Sequence, residues 1–259
     1  MGKTKIEWTA TLDADGVMHP GYTFNPWWGC TKVSDGCKNC YAETLAKRYG
    51  FDVWGLNTPR RLMSDNHWQQ PIKWDAEGQR LGIRYRVFCA SMADVFEENA
   101  PESESERLWK LIRNTPNLDW QLLTKRPHRI ADNLPGDWGN GYSNVWLGTS
   151  VEDERVVERI GHLVSVPAVI HFLSLEPLIG PLPNLPLSDI DWVIVGGESG
   201  AGARPMDEAW VLDIRRQCRS SRVSFFFKQW GGVNKKKAGR ELQKRLYNEM
   251  PVVIVTSQH

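Results

Sequence analysis

Three of the chain's five cysteines, Cys30, Cys37 and Cys40, fall within eleven positions, spaced C-x6-C-x2-C in the run Phe24-Asn25-Pro26-Trp27-Trp28-Gly29-Cys30-Thr31-Lys32-Val33-Ser34-Asp35-Gly36-Cys37-Lys38-Asn39-Cys40-Tyr41. Gly29 and Gly36 beside them let a short loop fold back so that three side chains converge. Thiolates are soft ligands that suit iron–sulfur clusters and zinc. A [4Fe–4S] cluster on three thiolates leaves one iron open to an outside ligand, whereas closed clusters and structural zinc usually take four protein ligands. The odd count therefore points to a metal that reacts.

Other readings of the same residues stay open. A disulfide with a spare thiol needs an oxidising compartment. The opening Met1-Gly2-Lys3-Thr4-Lys5-Ile6-Glu7-Trp8 has no basic n-region followed by an apolar h-region, so the chain is expected in a reducing cytoplasm. Zinc with a fourth ligand from Cys89, Asp35 or a histidine would make a zinc-stabilised nucleic-acid-binding protein without catalysis. The three could also be core cysteines. Cys89, in an apolar run, and Cys218, on a helix, are expected as buried thiols that bind nothing.

The elements that must position this loop follow from the apolar pattern. The 259 residues are 41% hydrophobic and 24% charged, a globular balance, and no apolar run nears the ~18 residues that span a bilayer. The thirteen tryptophans are expected mainly in packing. Strand-like runs recur at 22–27, 85–90, 119–123, 144–148, 168–173, 191–195 and 223–227, several of them apolar throughout, as strands covered on both faces are. Amphipathic segments at 41–49, 102–113, 152–160 and 207–219 alternate with them. The pattern predicts an α/β fold, a complete or partial parallel (β/α) barrel of six to seven units in one domain over 1–259. Residues 55–80 read as an irregular insertion or lid. Residues 231–259 read as a C-terminal extension, either over the barrel edge or partly mobile: a Gly/Lys-rich linker, a polar helix at 241–247 and an apolar run at 251–255.

Polar residues follow these strands: Ser91 and Asp94, Thr124-Lys125-Arg126, Ser150 and Glu152, Ser174-Leu175-Glu176, Gly196-Gly197-Glu198-Ser199-Gly200, and Lys228-Gln229. In a parallel barrel all share the C-terminal rim, where active sites are built, and the cysteine loop opens onto the same rim. Ser150 is also suited to cap the helix after it. Charge is uneven: residues 213–245 hold eleven basic and two acidic residues, net +9, against −7 for residues 1–212. This fits a phosphate or nucleic-acid footprint at the barrel mouth, extended by Thr124-Lys125-Arg126 and His128-Arg129, and equally a solvated helix face followed by a Lys235-Lys236-Lys237 turn.

A three-cysteine loop on the first strand of such a barrel resembles the radical S-adenosylmethionine superfamily. More closely, the cysteine run through Glu43 is similar to a phage-associated three-cysteine family of unknown function. So are Phe172-Leu173-Ser174-Leu175-Glu176-Pro177-Leu178, Trp192-Val193-Ile194-Val195-Gly196-Gly197-Glu198-Ser199-Gly200 and Phe227-Lys228-Gln229-Trp230-Gly231. The superfamily's usual spacing is C-x3-C-x2-C with an aromatic before the third cysteine; here the first gap is six, Asn39 takes that place, and Tyr41 follows. Its Gly-Gly-Glu motif follows the second strand, whereas Gly196-Gly197-Glu198 follow the sixth, so that role is not carried over. The resemblance implies a [4Fe–4S] cluster on Cys30, Cys37 and Cys40 whose open iron chelates S-adenosylmethionine. Reductive cleavage would then give a 5′-deoxyadenosyl radical. It implies an electron donor such as a flavodoxin or ferredoxin, and cofactor-binding residues among Ser91, Asp94, Ser150, Glu152, Glu176 and Glu198. With the basic segment, the expected substrate is a nucleotide or nucleic acid.

Overall fold

The computed structural model describes residues 3–252 of the chain. A short hairpin, β1 (Thr11–Leu12) and β2 (Met18–His19), precedes β3 (Tyr22–Phe24), and β4 (Trp27–Trp28) pairs antiparallel with β5 (Arg61–Leu62). The remaining strands are β6 (Tyr85–Cys89), β7 (Leu118–Thr124), β8 (Val145–Ser150), β9 (Ile170–Leu175), β10 (Trp192–Gly196) and β11 (Ser224–Gln229). These six and β3 form one seven-stranded sheet in the order β11-β10-β9-β8-β7-β6-β3, parallel throughout. The sheet curls into a partial barrel whose edges, β3 and β11, do not pair with each other. Each expected strand run has its counterpart.

Alternation along these strands feeds two cores, because successive side chains of a strand point to opposite faces. Val87, Leu122, Leu147, Leu173, Val193 and Phe225 pack outward against the helices. Phe88, Trp146, Phe172, Trp192, Ile194 and Phe226 fill the concave side, where Trp8 from the N-terminal segment joins them. Gly148 makes room there: a Cβ would lie 2.3 Å from the Phe172 ring. No helix among the described residues is long and apolar enough to cross a membrane.

The helices are α1 (Tyr41–Arg48), α2 (Asp65–Trp68), α3 (Gln70–Leu81), α4 (Glu102–Arg113), α5 (Arg159–Val164), α6 (Glu208–Ser221) and α7 (Lys235–Ala238). In α4, Leu108, Trp109, Leu111 and Ile112 form the buried stripe, with Glu102 and Glu104 in the first turn and Lys110 and Arg113 in the last, complementing the helix dipole. Asp207 caps α6 through the Ala209 N–H at 2.8 Å.

Several expectations are corrected. The first strand stops at Phe24, because Pro26 has no N–H for a ladder and the Asn25 side chain takes the Met92 N–H at 2.7 Å. Residues 55–80 are not irregular from Asp65 onward: α2 and α3 occupy that part, and α3 is stopped by Gly82 in the left-handed conformation at φ 66°. The helix expected over 152–160 begins as a 3-10 turn, Glu154–Val156, with α5 only from Arg159; Asp153, not Ser150, supplies the cap. No helix forms over 241–247, since Gln243 and Lys244 take φ of 50° and 61° in a tight turn. Residues 247–249 instead run along the edge strand, the Phe227 N–H donating to the Tyr247 carbonyl at 3.0 Å and the Glu249 N–H to the Phe225 carbonyl at 3.2 Å. Residues 247–249 thus cover part of the exposed edge of β11. The expected apolar run at 251–255 falls outside the described residues from 253 onward.

Candidate active site

Three short elements carry the cysteines. Cys30 follows β4, Cys37 closes a 3-10 turn, Asp35–Cys37, and Cys40 sits immediately before α1. All three thiols are free and half-buried. They line one cavity of about 240 Å³ at the C-terminal ends of the sheet strands. Trp8, Phe88 and Leu123 contribute apolar surface to it, and Ser91, Ser150, Ser174, Lys125, Glu176 and Lys228 contribute polar walls.

Buried charge fastens this loop. Arg126 places Nη1 3.8 Å from the Cys30 sulfur and 3.1 Å from Asp94 Oδ2, Nε 2.9 Å from Glu98, and Nη2 2.8 Å from the Thr31 carbonyl. Arg60 forms a buried pair with Glu97 at 2.7 Å and 2.8 Å and donates to Thr31 Oγ1 at 3.0 Å, while Glu97 accepts the Thr31 N–H at 3.1 Å. Beneath the second cysteine, Glu152 joins Lys125 at 2.6 Å, Arg159 at 2.9 Å and the Ser34 hydroxyl at 3.1 Å. Gly36 lies so close that a Cβ would sit 2.4 Å from Glu152 Cγ. On the far side, Glu198 takes Asn39 at 3.0 Å and Arg204 at 2.6 Å, and Arg204 also donates to the Asp35 carbonyl at 2.9 Å. The loop after β10 is thereby latched onto the cysteine loop.

The electrostatics follow from burial. Burial pushes the Cys30 thiol well above its ordinary range, Asp94 and Glu97 push it further, and Arg126 pulls against them. Burial also raises Cys40, against the N–H groups of Glu43 and Ala42. Such thiols release a proton on taking a metal, so loading favours higher pH. Burial raises Glu198, but hydrogen bonds from Arg204 and Asn39 outweigh it and leave the carboxyl below its usual value.

Five of the six expected cofactor residues line the cavity: Ser91, Asp94, Ser150, Glu176 and Glu198. Asp94 has both oxygens engaged, by Thr124 Oγ1 at 2.7 Å and the Phe96 N–H on one, and by Arg126 and the Lys125 N–H on the other. Glu176 pairs with Lys228 at 2.7 Å. Glu152 is the exception: it lies under the loop, 1% exposed, and is no part of the cavity lining. The expected basic rim also changes character, because Arg126 turns inward and is 1% exposed. Nothing in the sequence marks Arg60, Glu97 and Arg204 apart from surface polar residues, and Asn39 stands out there only as the residue in the place of the usual aromatic.

Among the described residues, no group of three His, Cys, Asp or Glu side chains is placed to hold one metal ion. In a cluster each thiolate binds its own iron, so three thiols around one cavity wall are compatible with it.

Structures of spore photoproduct lyase are similar to this chain at low identity. A cysteine-to-serine mutant is 14% identical, covering 78% of this chain and 62% of that chain with a TM-score of 0.47. A double mutant with bound AdoMet and dinucleoside spore photoproduct is 15% identical, with the same coverages and a TM-score of 0.45. This chain spans less than two thirds of the length of those it matches. No curated protein matches it. Residues 3–251 match the model of a family described as Protein of unknown function (DUF5131), and the chain belongs to that family.

Proposed function

We propose that this protein is a radical S-adenosylmethionine enzyme holding a [4Fe–4S] cluster on Cys30, Cys37 and Cys40 and acting on a nucleotide or nucleic acid. The observation that carries the reading is three free thiols of one loop opening together on the cavity at the C-terminal mouth of a partial parallel barrel. The family match is to a description of unknown function only, so the phage association is not carried further.

When bound, the cluster and S-adenosylmethionine supply one-electron reductive cleavage to a carbon radical. The chain supplies geometry and dryness. Arg60, Glu97 and Arg126 hold the Cys30 segment, Glu152 the Ser34–Cys37 turn, and Glu198 with Arg204 the Asn39 side. Asp94, Glu152 and Glu198 thus act on the loop. Ser91, Ser150 and Glu176 remain as cavity-wall partners for the polar groups of S-adenosylmethionine. Trp8, Phe88 and Leu123 offer an apolar surface that excludes water from a radical. The electron donor would be a small cytoplasmic protein such as a flavodoxin or ferredoxin.

The test is anaerobic reconstitution with iron and sulfide, metal analysis, and chromatography after dithionite reduction with S-adenosylmethionine. Expected are about four irons per chain by cluster stoichiometry, loss of iron in each single alanine variant of the three cysteines, and 5′-deoxyadenosine in the wild type. Zinc in place of iron, or full iron in any of the three variants, overturns it.

A further inference from the structure

The basic segment does not form one surface. Helix α6 runs back against the strands, so its C-terminal end lies by Ser224 at the start of β11, while Lys228 lies at that strand's other end on the cysteine cavity. Five steps along the strand separate Ser224 from Gln229, about 16 Å at ~3.3 Å each. The arginines of α6 therefore belong to the end of the barrel remote from the cysteines, contrary to the expected mouth.

At that remote end, Arg215, Arg219 and Arg222 line a recess of about 250 Å³ together with Val223, Ser224, Phe225 and Glu249. Arg215 and Arg219 are four apart on α6, hence on one face. Arg222, in the left-handed conformation at φ 58°, ends the helix beside them. Among the described residues none of the three has an ion-pair partner, unlike Arg216, which pairs with Asp213. Glu249 is the lone carboxylate in the lining, and its Oε2 accepts the Phe225 N–H at 2.9 Å. Arg215 is held by stacking on Tyr247 at 4.4 Å. A favourable helix dipole accounts for one cation in a last turn, not for three around one hollow.

We propose that this recess is a phosphate-binding site that grips the backbone of a nucleic-acid strand. Guanidinium groups match phosphate with paired N–H donors, and three of them against one committed carboxylate leave a net positive hollow. The site is separate from the cysteine cavity and does not rest on cluster chemistry. It would hold a polyanion at a second point on the protein, outside the reaction chamber.

The experiment measures binding of a labelled single-stranded oligonucleotide, and separately of inorganic phosphate, at two salt concentrations. The proteins are the wild type, the double variant Arg219→Gln/Arg222→Gln, and Glu249→Gln, each checked for an unchanged unfolding midpoint. Expected for the double variant are at least tenfold weaker oligonucleotide binding and a salt slope reduced by roughly one. Glu249→Gln, which removes the opposing charge, should bind more tightly. Oligonucleotide binding far tighter than inorganic phosphate assigns the strand as ligand; inorganic phosphate binding equally well retains the phosphate site but overturns the nucleic-acid assignment. Wild-type affinity in the double variant, or no binding of either probe at low salt, overturns the site itself.

Discussion

Removing Arg60 should cost more than any exposed arginine on this protein. The side chains of Arg60 and Glu97 are 2% and 0% exposed. The guanidinium donates to both Glu97 oxygens, to the carbonyls of Val53, Gly55 and Thr58 at 3.2, 3.0 and 2.7 Å, and to Thr31 Oγ1. Arg60→Ala strands a buried carboxylate and leaves those carbonyls short of a donor. Breaking one partner of a buried pair costs about 3–5 kcal/mol. For a chain of this size that lowers Tm by roughly 10 °C. Replacing both partners by apolar groups, Arg60→Met with Glu97→Leu, avoids the stranded charge and should recover most of that loss. Urea unfolding followed by tryptophan fluorescence reads both, with the midpoint shifted and the slope unchanged. The double variant still lacks the Glu97 acceptor for the Thr31 N–H, so Cys30 should react faster with a thiol reagent even where stability returns. A loss below about 1 kcal/mol for Arg60→Ala, or a double variant as unstable as the two single losses combined, would refute the reasoning.

Gly36→Ala drives a Cβ into Glu152, which Lys125 and Arg159 hold in place, and should cost about 1–3 kcal/mol by urea unfolding. Gly161→Ala, with open space around it on α5, should be neutral or slightly stabilising. In reconstituted protein, Arg126→Gln removes a donor from the Cys30 sulfur, so the reduction midpoint of the proposed cluster should become more negative with iron content retained; an unchanged midpoint counts against that contact. Burial lowers the pKa of His67, against a pull from the Asn25 carbonyl. The unfolded chain therefore takes a proton first: stability is full above pH ~6.5 and declines as pH falls through the lower folded value. His67→Gln should flatten that decline in urea midpoints between pH 5 and 8, and identical pH profiles would remove His67 as its source.

The seven sheet strands, their parallel order and the shared rim were legible in the chain, because apolar runs and their periods are local properties set by backbone geometry. The cysteine loop was legible for the same reason: its residues are neighbours in sequence. Five of the six rim residues reached the cavity because the end of a parallel strand can lie nowhere else. Tertiary structure decided what each polar group does there. Ser34 meets Glu152 across 118 positions, Asn39 meets Glu198 across 159, and Arg204 meets the Asp35 carbonyl across 169. No local pattern marks such partners, since a buried ion pair is selected by what the fold brings within about 3 Å. Glu152 therefore looked like a rim carboxylate and is a prop beneath the loop, and Arg126 looked like surface charge and points at a cysteine. The basic third shows the same division: its composition is in the sequence, but the reversal of α6 against β11 carries its arginines to one end of the barrel and Lys228 to the other.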